Sequence, residues 1–150
     1  MESAMPRKIT CLSCARTNRL PDDRPAAAAR CGACGAALWQ ASPVDIDAET
    51  LAKAARVDEV PLLVDFWAPW CGPCRMMAPA FANAATDLHG RVRCAKVDTQ
   101  AHPAAATAQG IRGIPTLIAF AGGRECGRQS GALPKEAITA FATRHLASTG

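Results

Sequence analysis

Trp70-Cys71-Gly72-Pro73-Cys74 follows an apolar run, residues 60–67, and opens a segment of helical texture, residues 71–89. An apolar run of that length reads as a strand buried on both faces, as in a parallel sheet. A cysteine where strand gives way to helix has a physical consequence. Its sulfur meets free backbone N–H groups and the positive end of the helix dipole, and both stabilise a thiolate. The thiolate is the species that attacks a disulfide. Two intervening residues bring the second sulfur close enough to close a small disulfide loop, and Pro73 limits the freedom of that loop. The pattern assigns Cys71 as an exposed nucleophile and Cys74, one turn into the helix, as the resolving thiol. The competing reading is half of a zinc site. It requires two further ligands, and residues 41–150 hold no other CxxC or CxxH pair.

Outward from this motif, residues 50–57 place Leu51, Ala54, Ala55 and Val57 near helical spacing, with Asp47 or Thr50 as the N-cap. Residues 92–97 read as a second strand and 103–109 as a short helix. Residues 116–121 and 125–129 read as two strands joined at Gly122-Gly123. Residues 134–146 form a last helix, with Pro134 at its first position and Ile138, Phe141 and Leu146 inward. Strands alternating with helices and ending in a hairpin predict an α/β fold: a central mixed sheet flanked by helices on both faces.

Asp65 interrupts the apolar run. Burial penalises its charged form and raises its pKa, and a raised carboxylate near a thiol pair can accept the proton of Cys74. A structural acid satisfied by hydrogen bonds is the alternative. Lys96 shares strand parity with Val92 and Cys94, which turns it inward; a snorkelling surface lysine is the alternative. Cys94 and Cys126 fall in strands and read as inert small hydrophobes. Met76 and Met77 read as helix packing and Trp67 as core. His89, His102 and His145 read as surface residues without supporting neighbours.

The first 40 residues have a different texture. Leu12, Leu20, Leu38 and Trp39 are their main apolar side chains, and Ile9 stands isolated, too little to fold alone. Residues 21–25 and the alanines after them read as a loop. Yet Cys11-x2-Cys14-x16-Cys31-x2-Cys34 falls within the spacing of a four-cysteine zinc site. Gly32 and Gly35 permit the tight turns of two such knuckles. Arg7, Arg16, Arg19 and Arg30 can offset a centre of net charge −2, and the metal would supply the missing folding energy. Two disulfides or free thiols are the alternatives. The predicted division is therefore residues 1–40 as a small N-terminal zinc ribbon and 41–150 as the main domain.

Charge and hydropathy exclude other classes. The chain of 150 residues is 49% hydrophobic with a formal charge of +4, too weakly basic for a dedicated nucleic-acid binder. Residues 1–20 lack the apolar core of a signal peptide, and no stretch approaches the ~18 apolar residues of a membrane helix. A cytoplasmic protein is expected, binding neither membrane nor nucleic acid and acting as a monomer. In such a reducing compartment clustered cysteines mean metal or redox chemistry more often than structural disulfides.

The stretch Val64-Asp65-Phe66-Trp67-Ala68-Pro69-Trp70-Cys71-Gly72-Pro73-Cys74 resembles the active-site segment of the thioredoxin family. Gly110-Ile111-Arg112-Gly113-Ile114-Pro115-Thr116 is similar to that family's cis-proline loop, and Gly131-Ala132-Leu133 matches a third, weaker position. The resemblance spans about residues 43–147, and the front cysteines extend it to the zinc-containing branch called thioredoxin 2. It implies the thioredoxin fold and reversible dithiol–disulfide exchange with disulfide-containing protein substrates. It also implies a cis bond before Pro115, and Lys96 beside Asp65. The Ile114 backbone would pair with an extended substrate segment, and Trp70 and Gly113 would complete an apolar docking rim. Arg75 stands where lysine is common in the family and keeps the charge. The implied partner is a flavin-dependent, NADPH-consuming thioredoxin reductase. The only implied cofactor is one structural zinc on Cys11, Cys14, Cys31 and Cys34, with no bound organic cofactor. The Gly-Pro dipeptide is the reducing type. A disulfide isomerase or oxidase using the same cysteines and a zinc-dependent redox-sensing holdase are the alternatives.

Overall fold

The computed structural model of the chain describes residues 6–21 and 28–146. The loop expected over residues 21–25 and the following alanines lies mostly outside the described residues. Along the chain run β1 (Arg7–Thr10), β2 (Thr17–Leu20), β3 (Val44–Asp45), α1 (Ala48–Val57), β4 (Leu62–Trp67) and α2 (Gly72–Asp87). Then follow β5 (Arg93–Asp98), α3 (Pro103–Gln109), β6 (Thr116–Ala121), β7 (Arg124–Ser130) and α4 (Lys135–Leu146).

The main sheet has the order β3-β5-β4-β6-β7. β3, β5 and β4 are parallel, while β6 and β7 join antiparallel. Parallel pairing of β4 with β5 needs a long crossover, and α2 supplies it; the two-glycine turn after Ala121 allows only an antiparallel return. Side-chain alternation along β4 fills both faces. Leu62, Val64 and Phe66 pack with Leu51, Ala54 and Ala105 of α1 and α3. Leu63 packs with Met77, Phe81, Ile138 and Phe141 of α2 and α4. Each such large side chain contributes roughly 1.5–3 kcal/mol through burial. This is the mixed sheet with helices on both faces that the sequence predicts.

Several boundaries and assignments differ. β3, at two residues, is too short to leave a periodic signal. Asp47 is the cap of α1, accepting from Thr50 N at 2.8 Å. Met76 is 78% exposed, so only Met77 packs the helix. His145 is not a lone surface residue: its ring lies 4.6 Å from that of Phe141. Cys94 is buried against α2 and α4, and desolvation pushes its thiol up to about 12, as suits an inert core residue.

The front segment forms a β1–β2 hairpin with Arg7 opposite Leu20 and Thr10 opposite Thr17. Ile9 is fully buried in a cluster with Leu20, Leu38, Trp39 and Val60, the last from the main domain. The isolated isoleucine is thus an anchor. Beside it lies an unforeseen polar contact. Asp58 and Arg93, both of the main domain, form a buried ion pair. Thr10 N donates to Asp58 Oδ1 at 2.7 Å, and Arg93 Nη1 donates to the carbonyls of Thr10 at 2.8 Å and Leu38 at 3.2 Å. Glu59 N donates to Lys8 O at 2.9 Å, extending the seam.

The β6–β7 turn gives a direct check. Gly122 and Gly123 have φ of 62° and 81°, and a Cβ on Gly123 would lie 2.8 Å from the Arg56 carbonyl oxygen, whereas one on Gly122 meets nothing. Gly122→Ala is expected to cost about 1 kcal/mol of left-handed strain. Gly123→Ala is expected to cost about 1–3 kcal/mol more, because backbone of α1 must move. Urea unfolding reads the difference; equal losses would contradict the close approach of α1.

Candidate functional site

Cys71 is the N-cap of α2, in extended conformation (φ −88°, ψ 112°), and its Sγ accepts from Cys74 N at 3.2 Å. Gly72 and Pro73 open the helix, where a proline loses no hydrogen bond. Cys71 and Cys74 are joined as a disulfide. The expectation of an exposed Cys71 is corrected: it is 4% exposed and Cys74 2%. Ala68, Trp67 and Ile114 enclose the pair, and Cys71 Sγ lies 3.8 Å from Ile114 O. The approach to the sulfur is by a groove of about 480 Å³ lined by Trp70, Pro73, Ile111, Gly113 and Ile114, with Trp70 itself 69% exposed. Thr99, Ala106 and Arg112 also line it and carried no motif of their own apart from the loop.

The facing loop is held from two sides. The Ile114–Pro115 bond is cis. Thr116 Oγ1 donates to Gly113 O at 2.6 Å, and Gly131 N donates to Pro115 O at 2.9 Å. The Gly131 position thus acts by fixing the loop.

Asp65 lies in the middle of β4, with Lys96 of β5 and Leu117 of β6 as register partners. It is 1% exposed, and neither carboxyl oxygen has a hydrogen-bond partner among the described residues. The described residues supply no hydrogen bond that would satisfy it as a structural acid. Desolvation pushes its pKa up to about 7, with Lys96 opposing the rise. The Lys96 ammonium lies 4.5 Å from the centre of the Trp67 ring, a cation–π contact. Trp67 is accordingly half-buried between Lys96 and the disulfide cluster, where core packing was expected.

The front cysteines converge separately. All four Sγ atoms of Cys11, Cys14, Cys31 and Cys34 lie within 4.8 Å of one another. Cys11–Cys34 and Cys14–Cys31 are each 3.7 Å apart. A tetrahedron with metal–sulfur bonds of about 2.3 Å has edges of about 3.8 Å, so the donor set fits a single ion. The two knuckles repeat one geometry. Ala15 N donates to Cys11 O at 2.8 Å and Gly35 N to Cys31 O at 2.9 Å, with φ of 68° at Ala15 and 80° at Gly35. Asn18, which no motif singled out, donates to Cys31 Sγ at 3.4 Å and accepts from Gly32 N at 2.9 Å. Backbone N–H of Cys34 and the Asn18 amide hold the Cys31 thiol below its ordinary range, while its neighbour Cys14 is pushed up, as expected when two close sulfurs share one proton.

Comparison with known proteins agrees with this geometry. The family profile for thioredoxin matches residues 43–144, and the one described as thioredoxin 2, N-terminal, matches residues 10–36. The chain is 40% identical over 125 residues to thioredoxin C-3 of Corynebacterium nephridii, covering 83% of this chain and 86% of that one. It is 47% identical over 88 residues to thioredoxin 1 of Nostoc sp., covering 59% and 82%. Among solved structures, chloroplastic thioredoxin z superposes with a TM-score of 0.63 at 31% identity, covering 71% of this chain and 96% of that one. Among the described residues, no helix is long and apolar enough to cross a membrane.

The buried carboxyl sets a pH dependence. A group titrating near about 7 when folded and about 4 when unfolded holds its proton more tightly in the folded state. Its contribution is complete below about pH 4 and lost as the pH rises through about 7. Asp65→Asn is therefore expected to stabilise the protein at pH 8, by on the order of 2–4 kcal/mol, with little effect at pH 4. Denaturant unfolding across that range checks it; a uniform change at all pH values would contradict the raised pKa.

Proposed function

The chain belongs to the thioredoxin family and is a thioredoxin-type disulfide oxidoreductase, and from that premise we propose that it works as a protein-disulfide reductase with Cys71 as nucleophile. The observation that carries this is the sulfur cap: Cys71 Sγ takes the Cys74 N–H at the head of α2 and borders an open groove. In the reduced protein the Cys71 thiolate attacks one sulfur of a substrate disulfide. A mixed disulfide forms, and the other substrate sulfur leaves as a thiolate. The Cys74 thiol passes its proton to the Asp65 carboxylate, and the new thiolate attacks Cys71 Sγ. The Cys71–Cys74 disulfide closes and the second substrate thiolate departs, so two electrons have moved from the dithiol to the substrate. A carboxyl titrating near about 7 is matched to that task at neutral pH.

The other site residues take roles in keeping with their positions. Lys96 moderates the Asp65 charge. Trp70, Gly113 and Ile114 form the rim against which an extended substrate segment lies, and Pro115, lacking an N–H, leaves the Ile114 backbone to pair with it. The front cysteines hold one structural zinc ion, which supplies cross-linking rather than chemistry to a ribbon of residues 1–40 packed on the domain of residues 41–150. The cytoplasm suits both sites, since its reducing thiol pool keeps four zinc-binding thiolates unpaired. An NADPH-dependent thioredoxin reductase returns the Cys71–Cys74 dithiol after each cycle.

A trapping variant tests the assignment. Cys74→Ser is expected to retain substrates as mixed disulfides on Cys71, identifiable by mass spectrometry and released by dithiothreitol, while Cys71→Ser leaves insulin soluble in a reduction turbidity assay. Trapping through another cysteine, or continued insulin reduction by Cys71→Ser, would contradict it.

A further inference from the structure

The metal centre of the ribbon has a neighbour that its own segment does not supply. Arg93 belongs to β5, the strand that also carries Lys96, yet its guanidinium reaches into the ribbon. It is 2% exposed and donates to the carbonyl of Thr10, the residue before Cys11. Its ion-pair partner Asp58 accepts from the N–H of the same Thr10. Both backbone polar groups of Thr10 are thus held by side chains of the main domain. The second contact of Arg93 Nη1, with Leu38 O, lies on the far side of the second knuckle, so one guanidinium spans the two ends of the four-cysteine unit.

Electrostatics gives this arrangement a direction. Arg93 Nε has no hydrogen-bond partner among the described residues, so the guanidinium keeps a spare donor beyond its pair with Asp58 and its bonds to Thr10 O and Leu38 O. Cys11 follows Thr10 directly in the chain and is fully buried, so the guanidinium contact sits one residue from a metal-site cysteine. When the four cysteines close around a divalent ion they become thiolates and the centre carries a net charge of −2. In a low-dielectric interior that charge favours a nearby guanidinium far more than surface arginines can be favoured in water. The ribbon arginines suggested by the sequence are therefore not the whole counter-charge.

We propose that Arg93 and Asp58 are positioning residues of the metal site: the main domain supplies the outer polar shell that fixes the Cys11 knuckle and offsets the charge of the metal–thiolate centre. Metal affinity then belongs to the whole chain, and by linkage the ion stabilises the seam between ribbon and sheet. This rests on the reading of the four cysteines as a metal site, and the test separates the two.

Reduced full-length protein is titrated with Co2+, followed by the thiolate charge-transfer band, and Zn2+ affinity is measured by competition with a chromophoric chelator. The variants are Arg93→Met, Arg93→Lys, Asp58→Asn and Val97→Ala; Val97 is buried on the same strand but packs in the core under α1 and α3. Arg93→Met and Asp58→Asn are expected to weaken Zn2+ binding by about 10- to 100-fold, the usual effect of outer-shell partners. Arg93→Lys is expected to recover part of the loss, and Val97→Ala to lower the melting temperature without changing affinity. Unchanged affinity in Arg93→Met, or an equal loss in Val97→Ala, overturns the proposal. Should Arg93→Met fail to fold, hydrogen exchange of the Thr10 amide in the unaltered protein decides: slower exchange with Zn2+ supports the proposal, and equal exchange with and without Zn2+ overturns it. If the unaltered protein shows no Co2+–thiolate band, the metal reading itself fails, and the positioning role falls with it.

Discussion

Helix α2 begins with a sulfur where most helices begin with an oxygen. The Cys71 side chain takes the hydrogen bond of Cys74 N that a serine or aspartate cap would take, and the rest of the site is arranged around that substitution. Strand β4, in the middle of the sheet, delivers the cysteine just beyond its C-terminal end. The crossover through α2 sets the second cysteine one turn behind the first. The loop carrying Pro115, pinned by Thr116 and Gly131, comes down on the other side and forms with Trp70 and Pro73 the groove that borders the sulfur. A sulfur so placed meets N–H groups and a helix dipole that stabilise its ionised form, at no cost in extra side chains.

The sheet carries two buried charges and handles them in opposite ways. Arg93 at the start of β5 is paired with Asp58 and given two backbone carbonyls. That is the usual condition for burying a charge, and the ribbon is fastened by it. Asp65, in mid-strand on β4, has no hydrogen-bond partner among the described residues, and its pKa rises as a result. A buried acid with no such partner lowers stability at neutral pH, and the proton-acceptor role proposed for it gives that burial a use. The apolar side chains of β4 on either side of it offset that cost.

Much of this was legible in the sequence, for identifiable reasons. β4 and β6 are buried on both faces, so their signal is an apolar run, broken in β4 by Asp65 and in β6 by nothing. The cysteine pair and the loop ending in Pro115 carry fixed spacings, and Asp65 was conspicuous because it broke such a run. The polar seam was not legible: Thr10, Asp58 and Arg93 are far apart in the chain, and no local pattern links them. Arg93 did leave the trace that Asp65 left, a charge inside a strand, and the same reasoning applied to it would have flagged it. Ile9 looked isolated because its partners Leu20, Leu38 and Val60 come from separate segments. The burial of Cys71 was missed because helix position says nothing of Ile114, which arrives from across the sheet to cover it. Met76 and His145 were misjudged because periodicity places a residue on a helix face without saying which neighbour, if any, lies opposite.

The central claim is that the cap ionises the Cys71 thiol. It is tested most directly by the pH dependence of Cys71 alkylation in reduced Cys74→Ser protein, read by mass spectrometry at the peptide that contains it. The account expects half-maximal reactivity near neutral pH, well below the ~8.5 of an unperturbed cysteine. Half-maximal reactivity at or above ~8.5 would contradict it, because a sulfur unaffected by the head of α2 has no advantage as a nucleophile.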